Sequence, residues 1–419
     1  MIPLSLDEIA ALNPGRLDAA PWADEVTGVQ IDSRLIDEGD LFFAIGDGAD
    51  FTRHAFARGA AATLVPVDAF SELAALGGAV RARSSARVVG ITGSTGKTST
   101  KDILAALCRS HARTVAAEGG QNNEIGLPLT LTRIEPDTEV IICEMGMRGL
   151  GQIAELCAVA RPDIGIITSI GPVHLELLGT VEHVAEAKAE VVASLPADGV
   201  AVVPDEPLLE PFLARDDIEI RKFGPENIKR FDRVEGGCRV AFALGDRKLE
   251  LEFPFTARHQ AGNAVAALLA LEALGLPFPE GRVDVELSRW RGEESPLPGG
   301  GLLINDAYNA NPASMRAALE HLAEHGGRKV AVLGEMAELG PTAPAYHREV
   351  GEIIQALGID SVLAVGELAR AYGGEFARDA EEAVEKVGDV VRPGDVVLVK
   401  GSRAVGLEVV AEALTAVRT

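Results

Sequence analysis

Basic residues are in short supply. The chain carries 39 Lys and Arg against 63 Asp and Glu, a formal net charge of -24 over 419 residues. A phosphate-backbone surface would have to be built against a repulsive field, so nucleic acid is excluded as a partner and an acidic, solvated surface is expected. No stretch comes near the roughly 20 apolar residues needed to cross a bilayer, which argues against a membrane role. Cysteine is scarce as well: Cys108, Cys143, Cys157 and Cys238 are scattered without a Cys-x-x-Cys pair. That pattern suits reduced thiols better than a disulfide frame or a zinc site. Met1 to Pro14 hold Asp7 and Glu8 and no basic cluster ahead of an apolar core, so no signal peptide and a cytoplasmic address are expected. No internal repeat is visible.

What is present is ordinary in bulk and specific in detail. The composition, 47% apolar and 24% charged, is that of a soluble globular protein. Its length exceeds the roughly 250 to 300 residues at which a single core stops growing. We expect an α/β fold of three domains: a small α/β module at 1–85, a central P-loop-type parallel-sheet domain at 86–293 and a Rossmann-like domain at 294–419. Short strands are expected at Gly28 to Asp32 and Leu41 to Ile45, and Gly77 to Arg87 reads as a connection. Apolar strands then alternate with helical lengths at Val88 to Thr92, Val140 to Cys143, Ile164 to Ile170 and Val200 to Val203, the pattern of a parallel sheet. Turns at Glu235-Gly236-Gly237 and Gly245-Asp246 predict an antiparallel edge, closed by a helix over His259 to Leu274. Ser295 to Gly301 reads as a Pro/Gly-rich break, after which βα alternation resumes.

The most informative run is Val88 to Thr100, where an apolar strand enters the turn Gly93-Ser94-Thr95-Gly96-Lys97-Thr98-Ser99 and a helix begins. Glycines let successive backbone N–H groups curl around anionic oxygens, and the helix N-terminus adds partial positive charge. Lys97 is expected to reach the outer phosphates of ATP and the Thr98 hydroxyl to hold Mg²⁺.

Three further residues stand where chemistry is wanted. Glu144 ends the strand Val140 to Cys143, at the mouth where a metal ligand can neutralise phosphate charge. His174 lies in the loop after the strand reaching Ile170, and its imidazole can complete a metal shell or steady a phosphate oxygen. Lys188 interrupts the apolar stripe Val181, Val184, Val191, Leu195 of one helix face. A desolvated lysine favours its neutral amine, which can add carbon dioxide to give a metal-binding carbamate; snorkelling of the stem is the structural alternative.

These residues carry a resemblance. The spacing Thr92-Gly93-Ser94-Thr95-Gly96-Lys97-Thr98, together with Asn122 to Pro128, Glu144 to Gly151, Ile170 to Gly179, Ala187 to Glu190, Asp306 to Pro312, Val332 to Met336 and Lys400 to Arg403, resembles the Mur ligase family from end to end. The run Asp306-Ala307-Tyr308-Asn309-Ala310-Asn311-Pro312 is the most selective and points to the dipeptide-adding branch. The resemblance implies ATP, two Mg²⁺ ions held through Thr98, Glu144, His174 and a carbamylated Lys188, and nucleotide contacts from Asn123, Asn263, Arg291, Asp306, Tyr308 and Asn309. It implies UDP-N-acetylmuramoyl-tripeptide, with Ser33 and Arg34 on its uridine side, and D-alanyl-D-alanine as substrates of a cytoplasmic, monomeric ligase. Three departures touch the nucleotide contacts: Gln260 for an asparagine, Trp290 for a glycine and Asn305 for an aspartate. The residues by themselves leave open a sibling Mur ligase, a folylpolyglutamate synthase, a P-loop ATPase switch and a small-molecule kinase.

Overall fold

Strands rich in Val and Ile, each followed by a helix, fold here into parallel sheets covered on both faces, because every crossover lays a helix on one face or the other. The computed structural model describes residues 1–416. Its central sheet is six-stranded and all parallel, in the order Glu219–Phe223, Val200–Pro204, Ile164–Ile167, Arg87–Thr92, Val140–Glu144, Thr114–Ala116. The chain runs first to one side of Arg87–Thr92 and then to the other, so a cleft opens at the carboxyl end of that strand. Register places Glu144 opposite Ile91, two residues before the glycine turn.

A second six-stranded sheet follows in the order Glu293–Pro296, Leu302–Asp306, Val396–Lys400, Lys329–Gly334, Ser361–Val365, Glu375–Ala377. Its first strand is antiparallel and the rest are parallel. The amino-terminal unit is a small four-stranded sheet, Arg16–Ala19, Ala62–Val65, Asp40–Phe43, Gly28–Gln30. Among the described residues no helix is long and apolar enough to cross a membrane. All four cysteines are free and buried, and burial pushes each thiol up to about 12.

Three expectations need correction. Gly77 to Ala82 is no linker but the second half of the Ala69–Ala82 helix, capped by the Asp68 side chain. Its small residues permit close packing: a Cβ on Gly77 would stand 2.9 Å from the Pro128 Cα. The antiparallel segment is not an edge of the central sheet. It forms a separate four-stranded sheet, Ile228–Val234, Gly237–Leu244, Arg247–Phe253, Gly281–Arg282. The Arg258–Ala273 helix is packed between the two sheets and is buried from Ala264 to Leu271, which explains why it is apolar all round. Ser295 to Gly301 is a hairpin, not a break: Glu293–Pro296 pairs with Leu302–Asp306, and Gly299, Gly300 and Gly301 turn at φ of 86°, 91° and 102°. Strands Thr114–Ala116 and Glu375–Ala377 are too short to announce themselves by periodicity, and Glu219–Phe223 carries three charged residues in five, so it does not read as an apolar core strand.

Candidate active site

The turn after Arg87–Thr92 sets the geometry. Gly93 has φ +148°, and a Cβ there would stand 1.9 Å from Thr168 Oγ1; Gly96 has φ +83°, and its Cβ would stand 2.3 Å from Asn263 Oδ1. Both positions therefore demand glycine for conformation and for space. The Lys97–Arg109 helix starts here with no side-chain cap, leaving its first N–H groups free for an anion. Above the turn lies a cavity of about 700 Å³ whose walls come from the central unit and from residues 306–317, 400 and 403.

Of the nucleotide and metal residues singled out from sequence, Ser94 to Ser99, Asn123, Glu144, His174, Lys188, Asn263, Arg291, Asp306, Tyr308 and Asn309 line this cavity, and Gly93, at the start of the turn, does not. Ser33 and Arg34 do not. They sit in the amino-terminal unit, where Arg34 pairs with Asp32 at 2.6 Å and the buried Ser33 hydroxyl meets His54 Nδ1 at 2.9 Å.

Glu144 is 2% exposed. Asn122 Nδ2 donates to its Oε1 at 2.9 Å, while its Oε2 is buried with no partner. An unpaired buried carboxylate oxygen costs on the order of 1–3 kcal/mol or more, so this atom is suited to receive a cation. Thr98 is equally buried, and its hydroxyl accepts from Arg291 Nη2 at 3.0 Å. Arg291 in turn lies over the Tyr308 ring, 3.8 Å from its centroid.

Lys97 Nζ donates to the Gly93 carbonyl at 2.7 Å. By surface area it is only half-buried, yet the cleft walls desolvate its ammonium and, with Arg291 nearby, hold its pKa below the ordinary lysine value; Glu144 opposes them. Lys188 comes from the Val181–Ala193 helix and is 2% exposed. Burial, with the like charge of Lys97, drives its pKa far below the ordinary value, which favours the free amine. Its neighbour Glu190 points elsewhere, accepting from the N–H groups of Gly151 and Ala154.

His174 holds a left-handed backbone, φ 53°, and its Nδ1 bonds Glu338. Glu338 is left-handed too, φ 62°, and its carbonyl accepts from the Glu176 N–H at 3.2 Å. Two non-glycine residues in that region store roughly 1–3 kcal/mol each, held by a contact between central and carboxy-terminal units. Glu338 fixes the His174 ring and leaves Nε2 for the cavity. Burial lowers the His174 pKa, Glu338 raises it, and Lys188 and Lys97 lower it. We expect Glu338→Gln to reduce turnover about tenfold with the ATP KM nearly unchanged, and, since it removes the raising influence, to move the acid limb of the rate profile to lower pH. Rate profiles of both proteins check this; an unmoved acid limb refutes it.

Sequence reasoning missed Glu338 and His54, and gave no role to Asn122 and Lys400, which it had only as members of matching stretches. Lys400, 2% exposed, donates to Asp306 Oδ2 at 2.6 Å and to the Asn309 carbonyl at 2.9 Å. The two residues are register partners on adjacent parallel strands, a pairing that distant sequence positions conceal. The Trp290 departure has a visible consequence: its φ is +62°, the conformation in which glycine is favoured, and its ring is packed under Arg403, 4.8 Å away. Asn305 Oδ1 accepts from the Ala307 N–H at 3.3 Å, and Gln260 Oε1 accepts from Asn263 Nδ2 at 2.8 Å.

Comparison with known proteins agrees with this geometry. Residues 91–271 match the Mur ligase middle domain, and residues 291–403 match the Mur ligase, glutamate ligase domain. The UDP-N-acetylmuramoyl-tripeptide--D-alanyl-D-alanine ligase of Escherichia coli is 32% identical, covering 99% of both chains. That of Bacillus subtilis is 33% identical over 97% of each. Among solved structures, MurF from Acinetobacter baumannii superposes with a TM-score of 0.86 at 26% identity over 99% of each chain. MurF from Thermotoga maritima in complex with ADP gives 0.80 at 29% identity, over 93% of this chain and 97% of that one. With end-to-end coverage at this identity and both domain models matched in order, the chain belongs to the Mur ligase family.

Proposed function

We propose that this chain is the ATP-dependent ligase that joins D-alanyl-D-alanine to UDP-N-acetylmuramoyl-tripeptide, an ADP-forming step of peptidoglycan precursor synthesis. One observation carries the reading: a phosphate-gripping turn, an unpaired buried carboxylate and a free lysine amine share one cleft that the carboxy-terminal unit covers. Lys97, Arg291, Arg148 and Arg403 line the cleft of a chain whose net charge is -24, so cationic side chains are concentrated where triphosphate belongs.

An amide does not form usefully from a carboxylate and an amine in water, because the carboxylate repels nucleophiles and its oxygen leaves poorly. The terminal carboxylate of the tripeptide attacks the γ-phosphorus of ATP, ADP leaves, and an acyl phosphate results. The amine of the dipeptide then attacks the acyl carbon, loses a proton, and phosphate departs. Lys97 swings from the Gly93 carbonyl to the γ-phosphate and stabilises the charge that develops there. Arg291 exchanges Thr98 for phosphate oxygens, freeing the hydroxyl. Asp306, oriented by Lys400, receives the ribose, and Asn263 with Gln260 faces the base. The overlying carboxy-terminal unit keeps water from the acyl phosphate.

Thr98, Glu144 and His174 are the residues that would hold Mg²⁺, and Lys188 as its carbamate would hold a second ion. Mg²⁺ supplies charge neutralisation for phosphoryl transfer. Ser33 and Arg34 bind the uridine side within 1–85, the nucleotide bridges 86–293 and 294–419, and the dipeptide is received by 294–419. The protein acts as a cytoplasmic monomer.

The reading is tested by supplying ATP, Mg²⁺, the tripeptide nucleotide and the dipeptide, and seeking the pentapeptide product by mass. Oxygen-18 placed in the tripeptide carboxylate should appear in released phosphate. Product without label transfer refutes the acyl phosphate, and a product only with a single amino acid or a folate refutes the acceptor assignment. Carbon-13 bicarbonate tests the carbamate separately: a carbamate resonance should be present in the native protein and absent in Lys188→Met.

A further inference from the structure

A second cluster of chemically capable side chains lies outside the nucleotide cleft. His321 is in the last turn of the Pro312–Ala323 helix and His325 lies two residues beyond its end, their imidazoles meeting edge to face with centroids 4.8 Å apart. Glu294, on the Glu293–Pro296 strand, places Oε1 2.9 Å from His321 Nε2 and 3.7 Å from His325 Nε2. One donor atom from each residue lies within 4.8 Å of the other two. We propose that Glu294, His321 and His325 form a site for a divalent transition-metal ion of the Zn²⁺ type, with water as fourth ligand.

The geometry points that way for three reasons. Metal–ligand bonds of roughly 2.0–2.1 Å in a tetrahedron separate donor atoms by about 3.3 Å, and the two measured separations bracket that value. Next, His325 Nδ1 donates to the His321 carbonyl at 2.9 Å, which leaves its Nε2 lone pair facing Glu294. Finally, Thr256 Oγ1 donates to Glu294 Oε1 and orients the carboxylate from the central unit. Two imidazoles and a carboxylate suit Zn²⁺ better than Mg²⁺, which prefers oxygen ligands alone.

One neighbour opposes the ion. Arg233 Nη2, which can only donate, lies 3.1 Å from His321 Nδ1, so in this structure the His321 proton is on Nε2. Metal binding requires that proton to pass through solvent to Nδ1, and Arg233 then to rest on Glu324 alone, with which it already pairs at 2.8 Å. Arg233 therefore weakens the site, and a residue able to accept from Nδ1 should strengthen it.

The test uses the full-length protein with its nucleotide cleft occupied by saturating Mg²⁺ and ADP. Co²⁺ is titrated while the visible absorption of a four-coordinate centre is followed, and Zn²⁺ then displaces it. We expect one tight equivalent, weakened at least about tenfold in His325→Ala and in Glu294→Gln, and tightened in Arg233→Gln. None of these side chains lines the nucleotide cleft, so retained ligase activity verifies that the variants are folded. Absence of uptake by the native protein overturns the proposal. So does uptake that His325→Ala and Glu294→Gln leave unchanged, since that ion belongs elsewhere, and so does a Co²⁺ affinity indifferent to Arg233→Gln.

Discussion

Replacing Lys97 with Ala is expected to lower kcat about a thousandfold, roughly 4 kcal/mol of transition-state stabilisation, while the melting temperature hardly moves. The two halves of that expectation have separate structural origins. In the free protein the ammonium bonds only the Gly93 carbonyl, a half-buried contact whose loss water can repair. During phosphoryl transfer the same ammonium, the one full positive charge on the turn, faces the charge that develops on the γ-phosphate. Steady-state kinetics beside thermal melts decide the matter. A loss under tenfold, or one matched by a large fall in melting temperature, would mean that the lysine is structural.

Lys188→Met is expected to abolish ligation and to stabilise the fold. In protein kept free of bicarbonate the amine is buried beside another cation, and an isosteric apolar chain removes that penalty. The pH dependence follows from the direction of the shift. The folded protein holds the amine neutral, whereas the unfolded chain binds a proton up to a pH of about 10.4, so stability rises with pH between the depressed folded value and that limit. Lys188→Met should lose this slope and melt a few degrees higher near neutrality. Denaturation across that range checks both, and a variant that melts lower, or keeps activity, contradicts them.

The nucleotide half of the cleft is legible in sequence because its parts are local: seven consecutive residues make the phosphate turn, and Glu144 ends a strand anyone can see. Lys188 is legible for a different reason, since a charge in an apolar stripe violates helix periodicity. Glu338 is not, because its partner lies 164 positions away and only the docking of two units joins them. Lys400 likewise acquires meaning only through strand register. The misread stretches share a cause. Small residues at Gly77 to Ala82 and at Ser295 to Gly301 suggest slack chain, but in the first they admit a neighbouring helix and in the second they form a hairpin. Composition reports what backbone can do, and packing decides which option is taken.

The buried cysteines make the chain its own clock. With every thiol held protonated well above physiological pH, electrophiles find no thiolate while the protein stays closed. Alkylation must wait for a breathing motion, and the sulfurs sit in two different cores: Cys143 and Cys157 in one, Cys108 and Cys238 in the other, against the antiparallel layer. Site-resolved labelling rates with and without nucleotide would then rank these cores by how often each comes apart, with no foreign probe engineered in.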